Sequence, residues 1–216
     1  MQVAIVIPAW NEAATIGRVV SSVLPGRTVI VVNDCSSDAT ASLAEAAGAL
    51  VVNHTANRGY DGALQSGFEK ADQLGVDIVV TFDADGQHDA TILDQIILPL
   101  AENTADIVIG VRPRTARFSE ALFGLYTRLR YGVSDILCGL KGYRIELYKR
   151  HGHFDSYGSI GTELALAALA GGARIAVVPV PVYERADHPR FGQGLKANGR
   201  ILRAMWRGLA IKVGKT

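Results

Sequence analysis

Long apolar runs, cysteine and net charge are all scarce in this sequence of 216 residues. No apolar stretch approaches the roughly 18 residues that a membrane-spanning helix requires, so no such helix is predicted. The two cysteines, Cys35 and Cys138, lie far apart without a zinc-ligand spacing, and both are expected to be reduced. A net charge of only +1 argues against nucleic acid as a partner.

The positive charges that do occur are unevenly distributed. From Arg185 to the C-terminus the sequence has eight Lys or Arg and a single acid, Asp187. This asymmetry predicts that the C-terminal region meets an anionic surface. At the N-terminus no basic stretch precedes the first apolar run, which favours a strand over a signal peptide. We therefore expect a cytosolic or peripheral protein.

Short β-branched runs alternate with helix-like segments along much of the chain. The predicted strands are 3–7, 28–32, 50–53, 77–82, 106–109 and 174–182, and the predicted helices are 13–24, 37–47, 61–74, 90–100 and 161–169. An Arg- and aromatic-rich stretch at 112–131 and a Gly-studded one at 135–144 interrupt this alternation. The pattern predicts a single α/β domain with a mostly parallel central sheet flanked by helices.

Carboxylate and amide side chains follow three of the predicted strands. They are Asn11 and Glu12, then Asn33 and Asp34, and finally Asp83, Asp85 and Gln87. Ligands of open α/β sheets bind at the carboxyl ends of strands, where converging carboxylates need a cation or a donor such as a nucleobase amine. The oxygen ligands of the third group favour Mg²⁺ or Mn²⁺ over zinc. The alternative is that Asp83 to Gly86 is a solvated turn that caps the next helix.

Other phosphate-binding folds and other metal sites are less well supported. Neither a G-x-G-x-x-G nor a G-x-x-x-x-G-K-[ST] motif follows a strand, which argues against dinucleotide-binding and P-loop folds. A receiver-like module that senses a nucleotide without catalysis stays open, although it accounts for only about half of such a chain. The five histidines show no metal-ligand pairing apart from a weak His151-x-His153, and no ligand role is predicted for them.

Six short motifs in a fixed order identify a family resemblance. They are VIPAWNE at 6–12, VVNDCSSD at 31–38, NRGY at 57–60, DADGQH at 83–88, GVR at 110–112 and DILCG at 135–139. Over nearly its whole length the chain resembles the inverting glycosyltransferases of family 2, of the Rossmann-like GT-A type. Within that family it is most similar to the polyprenyl-phosphate (dolichyl-phosphate-like) mannose and glucose synthases.

The resemblance implies a donor site for a nucleotide diphosphate sugar. The nucleotide would be held by Pro8, Ala9, Trp10, Glu12, Asp34 and Asp83. A Mg²⁺ or Mn²⁺ ion would be held by Asp83, Asp85 and Gln87 and would neutralise the diphosphate leaving group. For Glu12 the alternative is an acid that stabilises the N-terminus of a helix.

The resemblance also implies a set of catalytic and phosphate-binding residues. The catalytic set is Asp85, Arg112, Asp135 and Glu163, and the phosphate-binding set is Arg112, Arg185 and Arg190. Pro189-Arg190 replaces the family's usual Ser-Lys, and Gly139-Leu140 replaces a frequent Gly-Phe. Glu163 matches the general base of relatives that use a hydroxyl acceptor, and its alternative role is to cap a helix. For Arg112 the alternative is an ordinary surface arginine. For the glycines of 139–143 it is a tight structural turn.

The predicted function is transfer of a sugar to a polyprenyl phosphate, with a saccharide or glycan-precursor hydroxyl as the alternative acceptor. The nucleotide-binding half would be 1–110, the acceptor half 111–190 and a basic amphipathic helix 191–216. Segments 117–130 and 196–212 combine apolar and basic residues, which predicts peripheral binding to the anionic inner face of a membrane. The alternative is that both helices pack on the sheet with their arginines in water.

Overall fold

The computed structural model describes residues 1–113, 117–181 and 195–209, with only the backbone described at 195–197. In these ranges seven strands form one sheet in the order β3-β2-β1-β4-β6-β5-β7. The strands are β1 (Val3–Ala9), β2 (Thr28–Asn33), β3 (Leu50–Asn53), β4 (Ile78–Thr81), β5 (Ile107–Val111), β6 (Lys141–Arg144) and β7 (Ile175–Pro179). All pairings are parallel except those of β6, which runs antiparallel to β4 and β5.

Eight α-helices lie within the described ranges. They are α1 (Ile16–Val23), α2 (Thr40–Ala46), α3 (Gly59–Gln73), α4 (Leu93–Ala101), α5 (Phe118–Tyr131), α6 (Ile145–His151), α7 (Glu163–Ala170) and α8 (Leu195–Leu209). A 3₁₀ turn at Ala90–Ile92 leads into α4, and the Asp89 side chain caps it by accepting from the Thr91 N–H at 2.9 Å. No helix in the described part of the chain is both long and apolar enough to cross a membrane.

The sheet carries a separate apolar core on each face. Along β1, Ala4 and Val6 point to one face and Ile5 and Ile7 to the other, because successive side chains of a strand alternate. The first core also includes Phe68, Phe123, Leu164 and Ile201, and the second also includes Val19, Val20, Leu93 and Ile96. The mixed α/β domain with a mostly parallel sheet is confirmed, and burial on both faces explains its near-continuous apolar strands.

Strand β6 and helix α6 were not predicted. The strand sequence Lys-Gly-Tyr-Arg has no β-branched residue and so gives almost no local strand signal. It is held instead by its neighbours: Lys141 pairs with Thr81 on one side and Ile109 on the other. At Gly142 the missing side chain leaves room for α4, since a Cβ there would lie 2.6 Å from Ile96 Cγ2. Because β6 is reversed, its first residues lie beside the carboxyl ends of β4 and β5.

Candidate active site

The carboxyl ends of the parallel strands open into a cleft of about 600 Å³. Its wall includes eight residues that the sequence predicted for the site: Pro8, Ala9, Trp10, Glu12, Asp34, Asp83, Asp85 and Arg112. These residues come from four strand ends that are far apart in the sequence. The parallel sheet brings them together, as expected for an α/β fold.

The loop after β1 is tied to the loop after β2. Asn11 has a left-handed backbone with φ of 55°, a conformation that asparagine tolerates better than most residues. Its side-chain oxygen accepts from the Ser37 N–H at 2.8 Å, and the Glu12 N–H donates to Thr40 Oγ1 at 2.8 Å. Thr15 Oγ1 lies 3.3 Å from Glu12 Oε2. These bonds place Glu12, which is buried, in the cleft wall.

Both carboxylate oxygens of Asp34 are held by neighbouring groups. Its Oδ1 accepts from the Arg58 N–H and lies 2.7 Å from His54 Nδ1, while its Oδ2 accepts from the Gly59 N–H at 2.8 Å. His54 is held in turn by Ser66 Oγ, 2.9 Å from its Nε2. The NRGY motif at the start of α3 therefore orients Asp34 with backbone N–H groups, an arrangement that no single residue of the motif reveals.

Asp83 and Asp85 follow β4 and lie side by side in the cleft. The Tyr60 hydroxyl is 3.5 Å from Asp83 Oδ1, and His88 Nε2 is 4.0 Å from Asp83 Oδ2. Burial raises the pKa of Asp83 above its usual value, and the charge of Asp85 raises it further. An ionised pair in this position requires positive charge. Two such carboxylates suit a hard divalent cation such as Mg²⁺ or Mn²⁺.

The third predicted metal ligand, Gln87, is less directly placed. It is absent from the described cleft wall, and its backbone N–H donates to Asp85 Oδ1 at 3.0 Å. Lys141 is buried near Asp83. Burial lowers the pKa of its ammonium group, whereas the nearby acids Asp135 and Asp83 favour its charged form. Its Nζ donates to the Gly161 carbonyl at 3.0 Å rather than to a carboxylate. No local sequence signal selects Lys141, since its position depends on the reversed strand β6.

Arg112 is anchored by Asp135. Its Nε donates to Asp135 Oδ2 at 2.7 Å, and its second nitrogen, Nη2, donates to Asp135 Oδ1 at 2.9 Å. Glu120 lies 3.6 Å from the same guanidinium and pairs with Arg117 at 2.6 Å. Burial alone would lower the pKa of Arg112, but the hydrogen-bonded Asp135 raises it above its ordinary value, so the guanidinium stays charged. Asp135 itself lies behind Arg112 and is absent from the described cleft wall.

Helix α8 contributes two residues that were not predicted for the site, Arg200 and Ile201. The helix packs beside α5, where Ser119 Oγ donates to Asn198 Oδ1 at 2.5 Å. Arg200 was interpreted from the sequence only as part of a membrane-facing basic segment. Its place at the cleft depends on the packing of two helices and could not be found from local sequence.

Glu163, like Asp135, is a predicted catalytic residue that is absent from the described cleft wall. It is the first residue of α7, and its carboxylate accepts from the Ser156 N–H at 2.6 Å and from Ser156 Oγ at 2.7 Å. His153 Nε2 lies 3.0 Å from the same carboxylate. Arg185 and Arg190, the other predicted phosphate-binding residues, lie outside the described residues.

Comparisons with known proteins agree with this architecture. A model of glycosyl transferase family 2 matches residues 4–152. An undecaprenyl-phosphate mannosyltransferase of Micrococcus luteus is 29% identical, covering 99% of this chain and 100% of that protein. A dolichyl-phosphate hexose transferase of Haloferax volcanii is 29% identical, covering 87% of this chain and 86% of its own.

A solved structure shares the fold along the whole chain. Glucosyl-3-phosphoglycerate synthase from Mycobacterium tuberculosis, crystallised with Mn²⁺ and UDP-glucose, superposes with a TM-score of 0.76 at 25% identity. The match covers 100% of this chain and 80% of that one. Since the family model spans most of the sequence and its strand ends build the acidic cleft, the chain belongs to glycosyl transferase family 2 and is a glycosyltransferase of the GT-A fold.

Proposed function

We propose that this glycosyltransferase takes a sugar from a nucleotide diphosphate donor and transfers it, with inversion, to a polyprenyl phosphate at the cytoplasmic face of a membrane. The position of Glu163 carries the choice of acceptor. A hydroxyl acceptor needs a general base, but this acid is held by Ser156 and His153 outside the cleft. A lipid phosphate is already anionic near neutral pH and needs mainly positioning. The names of the two polyprenyl-type relatives support the same acceptor.

The nucleotide end of the donor is assigned to the β1 and β2 side of the cleft. Asp34 and Glu12 offer carboxylate oxygens that accept hydrogen bonds from ring N–H and ribose hydroxyl groups. Trp10, with 46% of its surface exposed, offers an aromatic face beside them. The hydrogen bonds that hold Asp34 keep its carboxylate in place before the donor arrives, which reduces the entropy lost on binding.

The diphosphate of the donor is assigned to Asp83 and Asp85, which would hold Mg²⁺ or Mn²⁺. When bound, the metal ion neutralises charge on the departing nucleoside diphosphate. Gln87 is proposed as a further ligand from the resemblance alone. Among the chain's own groups, Lys141 lies near Asp83, whose negative charge favours the ammonium form, and its bond to the Gly161 carbonyl holds the Lys141 side chain in place.

Binding of phosphate on the acceptor side is assigned to Arg112 and Arg200, two arginines of the cleft wall. A guanidinium binds phosphate through paired N–H donors, so its orientation matters. Asp135 provides that orientation through two bonds to Arg112, and we assign it a positioning role. Arg185 and Arg190 stay in the proposal as additional phosphate-binding residues.

An exposed apolar stripe on α5 favours attachment to a membrane. Its members, at helical spacing along one face, are Phe118, Leu122, Leu125 and Leu129, exposed by 81%, 37%, 53% and 81%. The neighbouring α8 exposes Trp206 by 72% and Leu209 by 45%. The exposed arginines Arg128, Arg130, Arg203 and Arg207 accompany them. Apolar residues edged by arginine are typical of helices that lie in a membrane interface.

The stripe begins at the mouth of the cleft. Phe118 directly follows Arg117, which is part of the cleft wall, and Glu120 one turn later is part of it too. A lipid whose tail lies along α5 would therefore present its phosphate near Arg112. A sugar acceptor has no lipid tail, so it would make no contact with the stripe.

The test of this function is a transfer assay with matched acceptors. The donor is first selected by thermal shift with GDP, UDP, dTDP and CMP sugars in the presence of Mn²⁺, since a bound ligand raises apparent stability. Labelled sugar should then appear on undecaprenyl phosphate and not on undecaprenol, which has the same tail but only a hydroxyl. Transfer to saccharide hydroxyls with none to the lipid phosphate would replace the proposed acceptor by the alternative one.

A further inference from the structure

A second group of ligating side chains lies away from the cleft wall, where α6 ends and α7 begins. His151 is the last residue of α6, His153 follows two positions later, and Glu163 is the first residue of α7. Their ligating atoms all lie within 4.8 Å of one another. His153 Nε2 is 3.0 Å and His151 Nε2 is 3.7 Å from the same oxygen, Glu163 Oε1.

The backbone brings the two imidazoles to the same side. Gly152 ends α6 in a left-handed conformation with φ of 89°, which turns the chain so that the rings of His151 and His153 lie 4.3 Å apart. The carboxylate opposite them is fixed by Ser156, which donates to it from both its N–H and its hydroxyl. Ligands held in this way by neighbouring hydrogen bonds are typical of metal sites.

One nitrogen of this group has no hydrogen-bond partner in the described part of the chain. His151 Nε2 is buried without a hydrogen-bond partner among the described residues, and 3.7 Å to Glu163 is too long for a hydrogen bond. A buried polar atom without a partner calls for an explanation such as a bound ion. A metal ion between the three residues would accept the lone pair of this nitrogen.

We propose that His151, His153 and Glu163 bind one divalent transition-metal ion, with Zn²⁺ as the probe that fits best. Imidazole nitrogens are borderline ligands that suit zinc, and two His with one Glu form a common zinc ligand set, in contrast to the oxygen-only pair Asp83 and Asp85. Ligand atoms of a tetrahedral zinc ion lie about 3.3 Å apart, and the two distances to Glu163 fall on either side of this value. Water completes the coordination, because 38% of the His153 side chain is exposed.

The proposed ion has a structural role. It joins the end of α6 to the start of α7, and the residues just before α7 reach the cleft: Ile160 is part of its wall and the Gly161 carbonyl holds Lys141. Zinc would therefore stabilise the wall behind Asp83 without taking part in sugar transfer. Glu163, whose match to a general base came from resemblance, is in this proposal a metal ligand.

The test uses the full chain, freed of any histidine tag and treated with chelator. Zn²⁺ is titrated against a chromophoric chelator, and Co²⁺ is added separately to record its visible absorption bands. We expect one Zn²⁺ per chain, a higher melting temperature with Zn²⁺, and Co²⁺ bands of four-coordinate intensity. His153→Ala should weaken Zn²⁺ binding at least tenfold and remove the rise in melting temperature.

Two further variants separate the possible outcomes. Asp85→Asn should keep full Zn²⁺ binding, because it changes only the cleft. His153→Gln retains the size of the partly exposed side chain and, with circular dichroism, shows that loss of binding is not loss of folding. The proposal is overturned if the wild-type chain binds no Zn²⁺, or if His153→Ala and His153→Gln bind it as tightly as the wild type.

Discussion

Gly139 packs directly against the carboxylate of Asp83: a Cβ at position 139 would come within 2.9 Å of Asp83 Cγ and closer still to Oδ2. The two residues meet because β6 runs antiparallel and starts beside the end of β4. A side chain at this position would have to displace a carboxylate that the proposed metal site requires.

Gly139→Ala should therefore reduce transfer by more than tenfold by moving Asp83, with folding largely retained. The measurement is initial rate at several Mn²⁺ concentrations, together with circular dichroism. Gly17→Ala is the matched control, because a Cβ at that position of α1 meets nothing closer than 3.9 Å. Equal activity of the two variants would show that Asp83 tolerates the displacement.

Asp85→Asn should abolish nearly all transfer while leaving the secondary structure intact, because it removes a metal-binding charge at a strand end. The assay compares turnover at limiting and at saturating Mn²⁺, with matched circular dichroism spectra. A variant that keeps a near wild-type rate at limiting Mn²⁺ would show that the metal site has been assigned wrongly.

Glu163→Gln distinguishes the two acceptor classes. Loss of a general base usually reduces the rate on the order of a hundredfold or more, whereas a residue outside the cleft should have a much smaller effect. We expect a loss of less than tenfold at saturating donor, with unchanged donor affinity. A loss of several orders of magnitude with normal donor binding would move the assignment to a hydroxyl acceptor.

Asp61 should make the stability of the protein depend on pH. Burial raises its pKa to about 6, and the charge of Asp155 contributes to this shift. The folded state therefore holds the proton more tightly than the unfolded one, so this contribution to stability is greatest at low pH and is lost as pH rises through about 6. The melting temperature of the wild type minus that of Asp61→Asn should fall between about pH 4 and pH 7.

Attachment to membranes should depend on the apolar stripe of α5. The protein should sediment with anionic vesicles at low salt, less so at high salt and hardly with neutral vesicles. Leu129→Glu should release it, since this side chain is 81% exposed on the stripe. Leu98→Glu, the same change at a leucine of α4 that is 55% exposed, should have no effect. If both variants bind vesicles as the wild type does, the stripe is not the membrane contact.

The alternating α/β pattern and the acidic strand ends are properties of the sequence alone. Burial of a parallel strand on both faces requires a continuous apolar run, and the polar residue that follows each run lies at the binding edge whatever the packing of the helices. For this reason Glu12, Asp34, Asp83, Asp85 and Arg112 were predictable and all lie in one cleft. The short motifs that contain these residues also carried the resemblance to the family.

Only the tertiary structure decided which residues from distant parts of the sequence line this cleft and which predicted residues lie outside it. Lys141 and Gly139 reach Asp83 through a reversed strand whose own sequence favours no strand, and Arg200 reaches the cleft through the packing of α8 beside α5. Glu163 was matched to a catalytic base, yet the turn at Gly152 brings His151 and His153 to it instead. These contacts depend on the paths of segments that are far apart in sequence or reversed by a turn, and no local periodicity encodes them.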